Sequence, residues 1–257
     1  KEPSTVSISG QTMGTTYNVT VVDNPLSLSK EDLKKRIEET LNEVNEKMSN
    51  WYDRSEISTI NNDKEGRPID LSQELFDVIN ISTDIHNRSN GAFDITAAPL
   101  INLWGFGPNN SERKIPTVLE VKAALELVGQ TKLLKLIPGL NQLEKRNPEV
   151  AINLSAIAKG YGIDRVASTL KEQKIQNFLV EIGGDLITSG TNKNGKSWSI
   201  GIEAPKVESQ IVQSVIKIKD QAMATSGDYK NFFEKATRPH RRDVKGVIDI
   251  DRNASGT

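Results

Sequence analysis

Cysteine is absent from the 257-residue sequence, which excludes disulfides, thiolate nucleophiles, iron–sulfur clusters and cysteine-ligated zinc together. Histidine is almost as scarce. With only His86 and His240, a histidine-rich metal centre is excluded, and any metal must sit among oxygen donors, which favours Mg²⁺ or Ca²⁺. Positive charge is not in excess either: 33 Lys and Arg against 34 Asp and Glu leave a net charge of −1, so nucleic acid is not an expected partner. No apolar run approaches the roughly 20 residues needed to span a bilayer. The start Lys1-Glu2-Pro3-Ser4 has neither an initiating methionine nor a signal-peptide core, as in a processed or trimmed chain. What remains, 36% hydrophobic and 26% charged, belongs to a globular protein, long enough for one large domain or two interlocked small ones. The absence of cysteine fits the cytosol and an oxidising compartment equally.

Alternation through residues 5–9 and 16–22 predicts two strands separated by the turn-prone Gly10 and Gly14. From Ser29, a capping residue, Leu33, Ile37, Leu41, Val44 and Met48 recur at helical spacing and predict a long amphipathic helix. A second helix is expected from Ser72 to about Arg88. A third runs from Thr117 to Leu127, with Thr117 and Glu120 as a capping box and Gly129 as its stop. Residues 89–116 between them are rich in Gly, Pro and Asn. Ala151-Ile152-Asn153-Leu154 reads as a short buried strand, after which Ser155 opens a helix. Residues 178–182, 185–188, 197–202 and 211–218 read as a largely antiparallel meander broken by Gly183-Gly184 and Asn194-Gly195. Strands at both ends with helices between them give a mixed α+β body, as two sub-domains sharing a cleft.

Asn153-Leu154-Ser155-Ala156-Ile157-Ala158-Lys159-Gly160 joins strand to helix, and the free N–H groups and dipole of a helix N-terminus attract anions. Lys159 stands where it reaches a phosphate. A tightly packed helix start with a solvated lysine explains the pattern equally well. Trp104 and Phe106 are placed either to stack on a ring system or, more commonly for such loops, to plug the edge of a core. Gly183-Gly184-Asp185 and Thr225-Ser226-Gly227-Asp228 are turns whose hydroxyls and carboxylates suit a phosphate or hydrated Mg²⁺, or an ordinary Asx turn.

Taken in order, these segments resemble the ApbE family of FAD:protein FMN transferases. The resemblance is carried by Thr12-Met13-Gly14-Thr15, Met48-Ser49-Asn50-Trp51, Ser55-Glu56-Ile57-Ser58, Gly91-Ala92-Phe93-Asp94-Ile95-Thr96, Leu103-Trp104-Gly105-Phe106-Gly107, Asn153 to Gly160, Gly183-Gly184-Asp185 and Thr225-Ser226-Gly227-Asp228-Tyr229. It implies a T-fold-like α+β enzyme, largely antiparallel sheet with packed helices. The implied reaction splits FAD at its pyrophosphate with Mg²⁺, moves FMN to a threonine or serine of an acceptor flavoprotein and releases AMP. Carried over by position, Met13, Trp51, Ala92, Phe93, Asp94, Asn153 and Lys159 contact FAD, the Ala156 carbonyl is a metal ligand, and His240 and Asp228 are the catalytic candidates. Asn153 stands where the family often has an acid.

The resemblance further implies a transferase domain over residues 1–235 with two interlocked sub-domains, followed by an atypical or truncated tail over 236–257. It also implies a periplasmic lipoprotein that meets the membrane only through a lost lipid anchor. The alternative reading is an FAD-binding or FAD-hydrolysing protein, giving FMN and AMP without transfer.

Overall fold

The computed structural model describes residues 3–108, 115–203 and 212–226. Alternation at the start of the chain builds a hairpin in which β1 (Thr5–Thr12) pairs antiparallel with β2 (Thr15–Val22). Only Met13 and Gly14 form its turn, both left-handed at φ 50° and 72°, as a two-residue hairpin turn requires. Gly10 lies inside β1 rather than at a turn. A Cβ there would stand 2.5 Å from the Tyr17 ring, which occupies the space a side chain would need.

Helix α1 (Lys30–Met48) is capped by Ser29, whose Oγ accepts the Asp32 N–H at 3.0 Å. There follow α2 (Glu56–Asn62), β3 (Ile69–Asp70), α3 (Gln73–Arg88), α4 (Ala98–Leu103), α5 (Val118–Leu125) and α6 (Gln130–Leu133). Next come β4 (Leu134–Ile137), β5 (Gln142–Lys145), α7 (Ala158–Glu172), β6 (Asn177–Ile182), β7 (Asp185–Ser189), β8 (Trp198–Glu203), β9 (Val212–Ile218) and β10 (Ala222–Met223). The predicted caps form at Ser72 and, as a full capping box, at Thr117. Gly129, expected to stop the third helix, instead precedes α6, and α5 has already ended at Leu125. The predicted Ser155 helix start is three residues early: 155–157 form a turn and α7 begins at Ala158.

The chain divides into two compact units, residues 1–42 with 162–257, and residues 43–161. In the first, an antiparallel sheet of order β1-β2-β6-β7-β10 has period-two faces. Tyr17, Val19, Val21, Phe178 and Val180 on one face pack with Leu33, Ile37 and Leu41 of α1 and Ile163, Val166 and Leu170 of α7. On the other, Val22 and Leu186 pack with Trp198 and Ile200. The expected meander is thus interrupted: among the described residues β8 and β9 pair only with each other, and they lie over that second face. In the second unit, β3-β5-β4 form a small antiparallel sheet, and Ile57, Ile60, Leu75, Val78, Ile79, Ile95, Leu143, Ile152 and Leu154 are buried. Mixed helices and wholly antiparallel ladders agree with the α+β class read from the sequence.

Tyr17, only 1% exposed, donates its hydroxyl to Glu38 at 3.2 Å. Burial, reinforced by the Glu38 carboxylate, pushes the phenol up to about 12 from 10.0. The folded state therefore holds this proton more tightly than the unfolded chain, so its contribution is intact below pH 10 and is lost as pH rises toward about 12. Urea midpoints should fall more steeply across that window in the native chain than in Tyr17→Phe. Parallel profiles would contradict the assignment.

Candidate functional site

Residues 151–154 are extended but belong to no sheet, contrary to the strand expected there. Buried backbone must nevertheless be satisfied, and in the second unit two asparagine side chains take the part of a neighbouring strand. Asn61 brackets Ile152, donating Nδ2–H to its carbonyl at 2.9 Å and accepting its N–H on Oδ1 at 2.7 Å. Asn50 donates to the same carbonyl at 2.7 Å and accepts the Leu154 N–H at 3.0 Å. The Asn153 N–H goes to the Ile95 carbonyl at 2.7 Å, and the Leu154 carbonyl accepts from Ile157 and Ala158 N–H. Ile152 and Leu154 are fully buried, so the alternation turns Asn153 to the opposite side. Its Oδ1 accepts the Ser155 N–H at 2.9 Å, an Asx turn that delivers the chain to α7.

The Ile95 contact joins this segment to the loop after α3, so the loop that carries Ala92, Phe93 and Asp94 meets the Asn153 segment within the second unit. The loop is rigidly organised. Gly91, at φ 82°, closes α3 by donating its N–H to the His86 carbonyl at 2.9 Å. His86, 8% exposed, bonds the Phe93 carbonyl through Nδ1 at 2.7 Å; since a carbonyl only accepts, Nδ1 carries the hydrogen. Asp94 accepts on Oδ1 from the N–H and hydroxyl of Thr96 and on Oδ2 from the Gln130 N–H at 2.9 Å. Thr96 in turn accepts the Gly129 N–H at 2.8 Å, and Gln130 donates to Thr83 at 2.9 Å. Asp94 thus shapes the loop that presents Ala92 and Phe93.

Trp51 follows Asn50 directly and is 65% exposed, a flat apolar face open to a ligand in the same unit. Lys159 lies in the first turn of α7, half-buried and with bonding partners of its own. Ala156 is in the exposed turn before it. Met13 belongs to the first unit, in the hairpin turn, where its Cε would stand 2.8 Å from a Cβ on Gly162. Two further motifs meet in that unit: Thr225 donates its N–H to Asp185 at 2.9 Å and its hydroxyl to the Gly184 carbonyl at 3.2 Å. Asp228 and His240 lie outside the described residues. Among those described, no three acidic or histidine side chains gather as a cation site. The Ala156 carbonyl alone does not make one, so no catalytic step is assigned here to a metal.

Sequence reasoning quoted Asn50 without a role and missed Asn61, His86 and Gln130. Asn61 carried one faint signal: it lies on the short run after Ser55-Glu56-Ile57-Ser58, within the part of the chain that bore the resemblance.

Fold and site together define a mixed α+β protein whose loop-to-helix junction is organised by buried amides around one asparagine. Residues 13–249 match the sequence profile of the ApbE family. The FAD:protein FMN transferase of Vibrio cholerae serotype O1 is 40% identical over 235 residues, 91% of this chain and 70% of that protein. The Haemophilus influenzae enzyme of the same name is 38% identical over 239 residues, 91% of this chain and 69% of that protein. Among solved structures, the flavin transferase ApbE from Vibrio cholerae superposes with a TM-score of 0.82 at 38% identity, covering 91% of this chain and 75% of that one. The apo flavinyl transferase ApbE of Pseudomonas stutzeri gives a TM-score of 0.80 at 29% identity, with 91% and 74% covered. The chain belongs to the ApbE family.

Proposed function

We propose that this chain is an FAD:protein FMN transferase that carries the FMN half of FAD to a threonine or serine hydroxyl of an acceptor flavoprotein. The acceptor oxygen forms a bond to the FMN phosphorus, the pyrophosphate bridge breaks, AMP leaves with the bridging oxygen, and the hydroxyl proton passes to solvent or a base. The observation that carries the reading, beside family membership, is the Asn153–Lys159 junction. There a backbone held by side-chain amides at Ile152 and Leu154 leads into the positive end of a 15-residue helix with a lysine in its first turn, suited to phosphate charge. Asn153 and the loop presenting Ala92 and Phe93 are proposed to bind the dinucleotide, with exposed Trp51 supplying stacking area.

Mg²⁺ is proposed as the cation that neutralises phosphate oxygens when bound, with the Ala156 carbonyl as one ligand; support comes from the family resemblance and the oxygen-only donor inventory. The periplasm is proposed as the compartment, with a lipid anchor as the membrane attachment; among the described residues no helix is long and apolar enough to cross a bilayer.

Incubating the chain with FAD, Mg²⁺ and an acceptor carrying an Asp-Gly-x-Ser/Thr-Gly-Ala-Thr segment should add FMN to the acceptor by intact mass and release AMP one for one. EDTA should stop both. AMP without the adduct would convert the reading to FAD hydrolysis, and neither product would remove it.

A further inference from the structure

The polar groups of residues 152–154 can be accounted for almost completely. Ile152 has spent its N–H on Asn61 and its carbonyl on Asn50 and Asn61; Asn153 has spent its N–H on Ile95 and its Oδ1 on Ser155; Leu154 has spent its N–H on Asn50 and its carbonyl on the start of α7. The Asn153 carbonyl and its Nδ2 amide are left over. The amide finds no partner among the described residues, and although Asn153 as a residue is only 9% exposed, this atom is not sealed in the core and keeps access to solvent. A donor held at a fixed place by a residue whose N–H and Oδ1 are engaged, and reachable from outside, is available to a ligand. The amide orientation is not in doubt, because the Ser155 N–H must face the oxygen.

We propose that Asn50 and Asn61 are positioning residues for the dinucleotide substrate: by replacing an absent strand they hold Asn153 so that Nδ2 donates to a phosphate, carbonyl or ring-nitrogen acceptor of FAD. The proposal rests on the transferase reading. The clamp also has a packing role, since it seats Ile152 and Leu154 in the core, so stability alone cannot test it. What separates the two roles is that a misplaced Nδ2 weakens substrate binding in molecules that are still folded, whereas a packing role leaves the folded fraction's affinity unchanged.

The test measures FAD affinity by flavin fluorescence and KM and kcat by AMP release, on the full chain, for Asn61→Ala, Asn61→Asp, Asn50→Ala and Asn153→Ala, with thermal midpoints alongside. Asn61→Ala and Asn50→Ala should raise the FAD dissociation constant and KM about tenfold while kcat stays within about threefold, the scale of one well-placed hydrogen bond. Asn61→Asp keeps the acceptor for the Ile152 N–H but turns an oxygen on the Ile152 carbonyl, so it should not rescue. Asn153→Ala leaves the clamp intact and should lose the same affinity, with a thermal midpoint lowered by no more than the Ser155 hydrogen bond it also removes; it carries the test if the Asn61 variants do not fold. Clamp variants that lower the midpoint but bind FAD normally, or an Asn153→Ala variant of unchanged affinity, would overturn the proposal. A native chain that does not bind FAD would instead remove the transferase reading, and the proposal with it.

Discussion

Replacing Lys145 with methionine should lower the unfolding free energy by about 2–4 kcal/mol, although no assigned function touches that residue. Lys145 ends β5 and is 6% exposed. Its ammonium donates to the carbonyls of Asp63 at 2.7 Å, Ile60 at 2.9 Å and Pro148 at 3.1 Å, with Val150 at 3.5 Å. Two of these carbonyls lie at the C-terminal end of α2, where the helix dipole is negative and carbonyls lack helical partners. Burial, with Lys64 nearby adding repulsion, pushes the lysine below its ordinary range, so the cation is held at a desolvation cost that its hydrogen bonds offset. Methionine keeps most of the stem's packing and removes the charge, but it leaves the Asp63 carbonyl without its donor and takes a charge-assisted bond from the Ile60 and Pro148 carbonyls, which keep the Asp63 N–H and the Lys64 ammonium. Losing these bonds together costs more than the avoided charge burial returns. Urea unfolding should show a lower midpoint at unchanged slope. A midpoint within experimental error of the native one would mean that water replaces the ammonium, and the account of this site would be wrong. The effect should reach function, because Lys145 ties the end of α2 to residues 148–150, and Asn61 lies in the last turn of that helix.

The same residues show what a sequence makes legible and what it does not. The β1-β2 hairpin, the α1 stripe and the caps at Ser29, Ser72 and Thr117 are local: each signal and its partner lie within a few residues, so pattern suffices. The apolar run at 151–154 reads as a strand because Ile152 and Leu154 share one buried face with Asn153 on the other, as in a strand, yet its hydrogen bonds come from side chains 91 to 104 positions away. Nothing local to either asparagine announces that pairing. Gln142-Leu143-Glu144-Lys145 carries one apolar residue in four and gives no sign that Lys145 is buried. The α2, α4 and α6 helices have at most seven residues each, too short for periodicity to register. As for the site, resemblance supplied Trp51, Ala92, Phe93, Asp94 and Asn153 by position. The scaffold that holds several of them, Asn50, Asn61, His86 and Gln130, appears only when distant segments are brought together.

Asp94→Asn should cut FAD cleavage about a hundredfold, nearly as much as Asp94→Ala, because the carboxylate stands in a shell made only of donors. The Gly129 N–H is donated to the Thr96 hydroxyl, which leaves that hydroxyl its own hydrogen to give to Asp94; the Thr96 and Gln130 N–H groups point at the carboxylate as well. His86 Nδ1, 3.6 Å from Oδ2, has its hydrogen engaged by the Phe93 carbonyl and offers no acceptor. Two hydrogen-free oxygens are therefore needed. An asparagine supplies one and sets an NH₂ against an N–H on the other side, so it both loses a bond and creates a donor–donor clash. The strain falls on Gly129, at φ 132°, on Gln130 and on the Ala92–Phe93 backbone, and in the loop proposed to bind the dinucleotide a displacement of about 1 Å is enough for an effect of about 10² in rate. Steady-state AMP release in the native and variant chains, with circular dichroism to show that the fold persists, reads this directly. The loss should appear in kcat/KM with the thermal midpoint only modestly lowered. A variant that keeps its rate within about threefold would show that the loop tolerates the clash and that Asp94 is neither a substrate contact nor the determinant of the Ala92–Phe93 position.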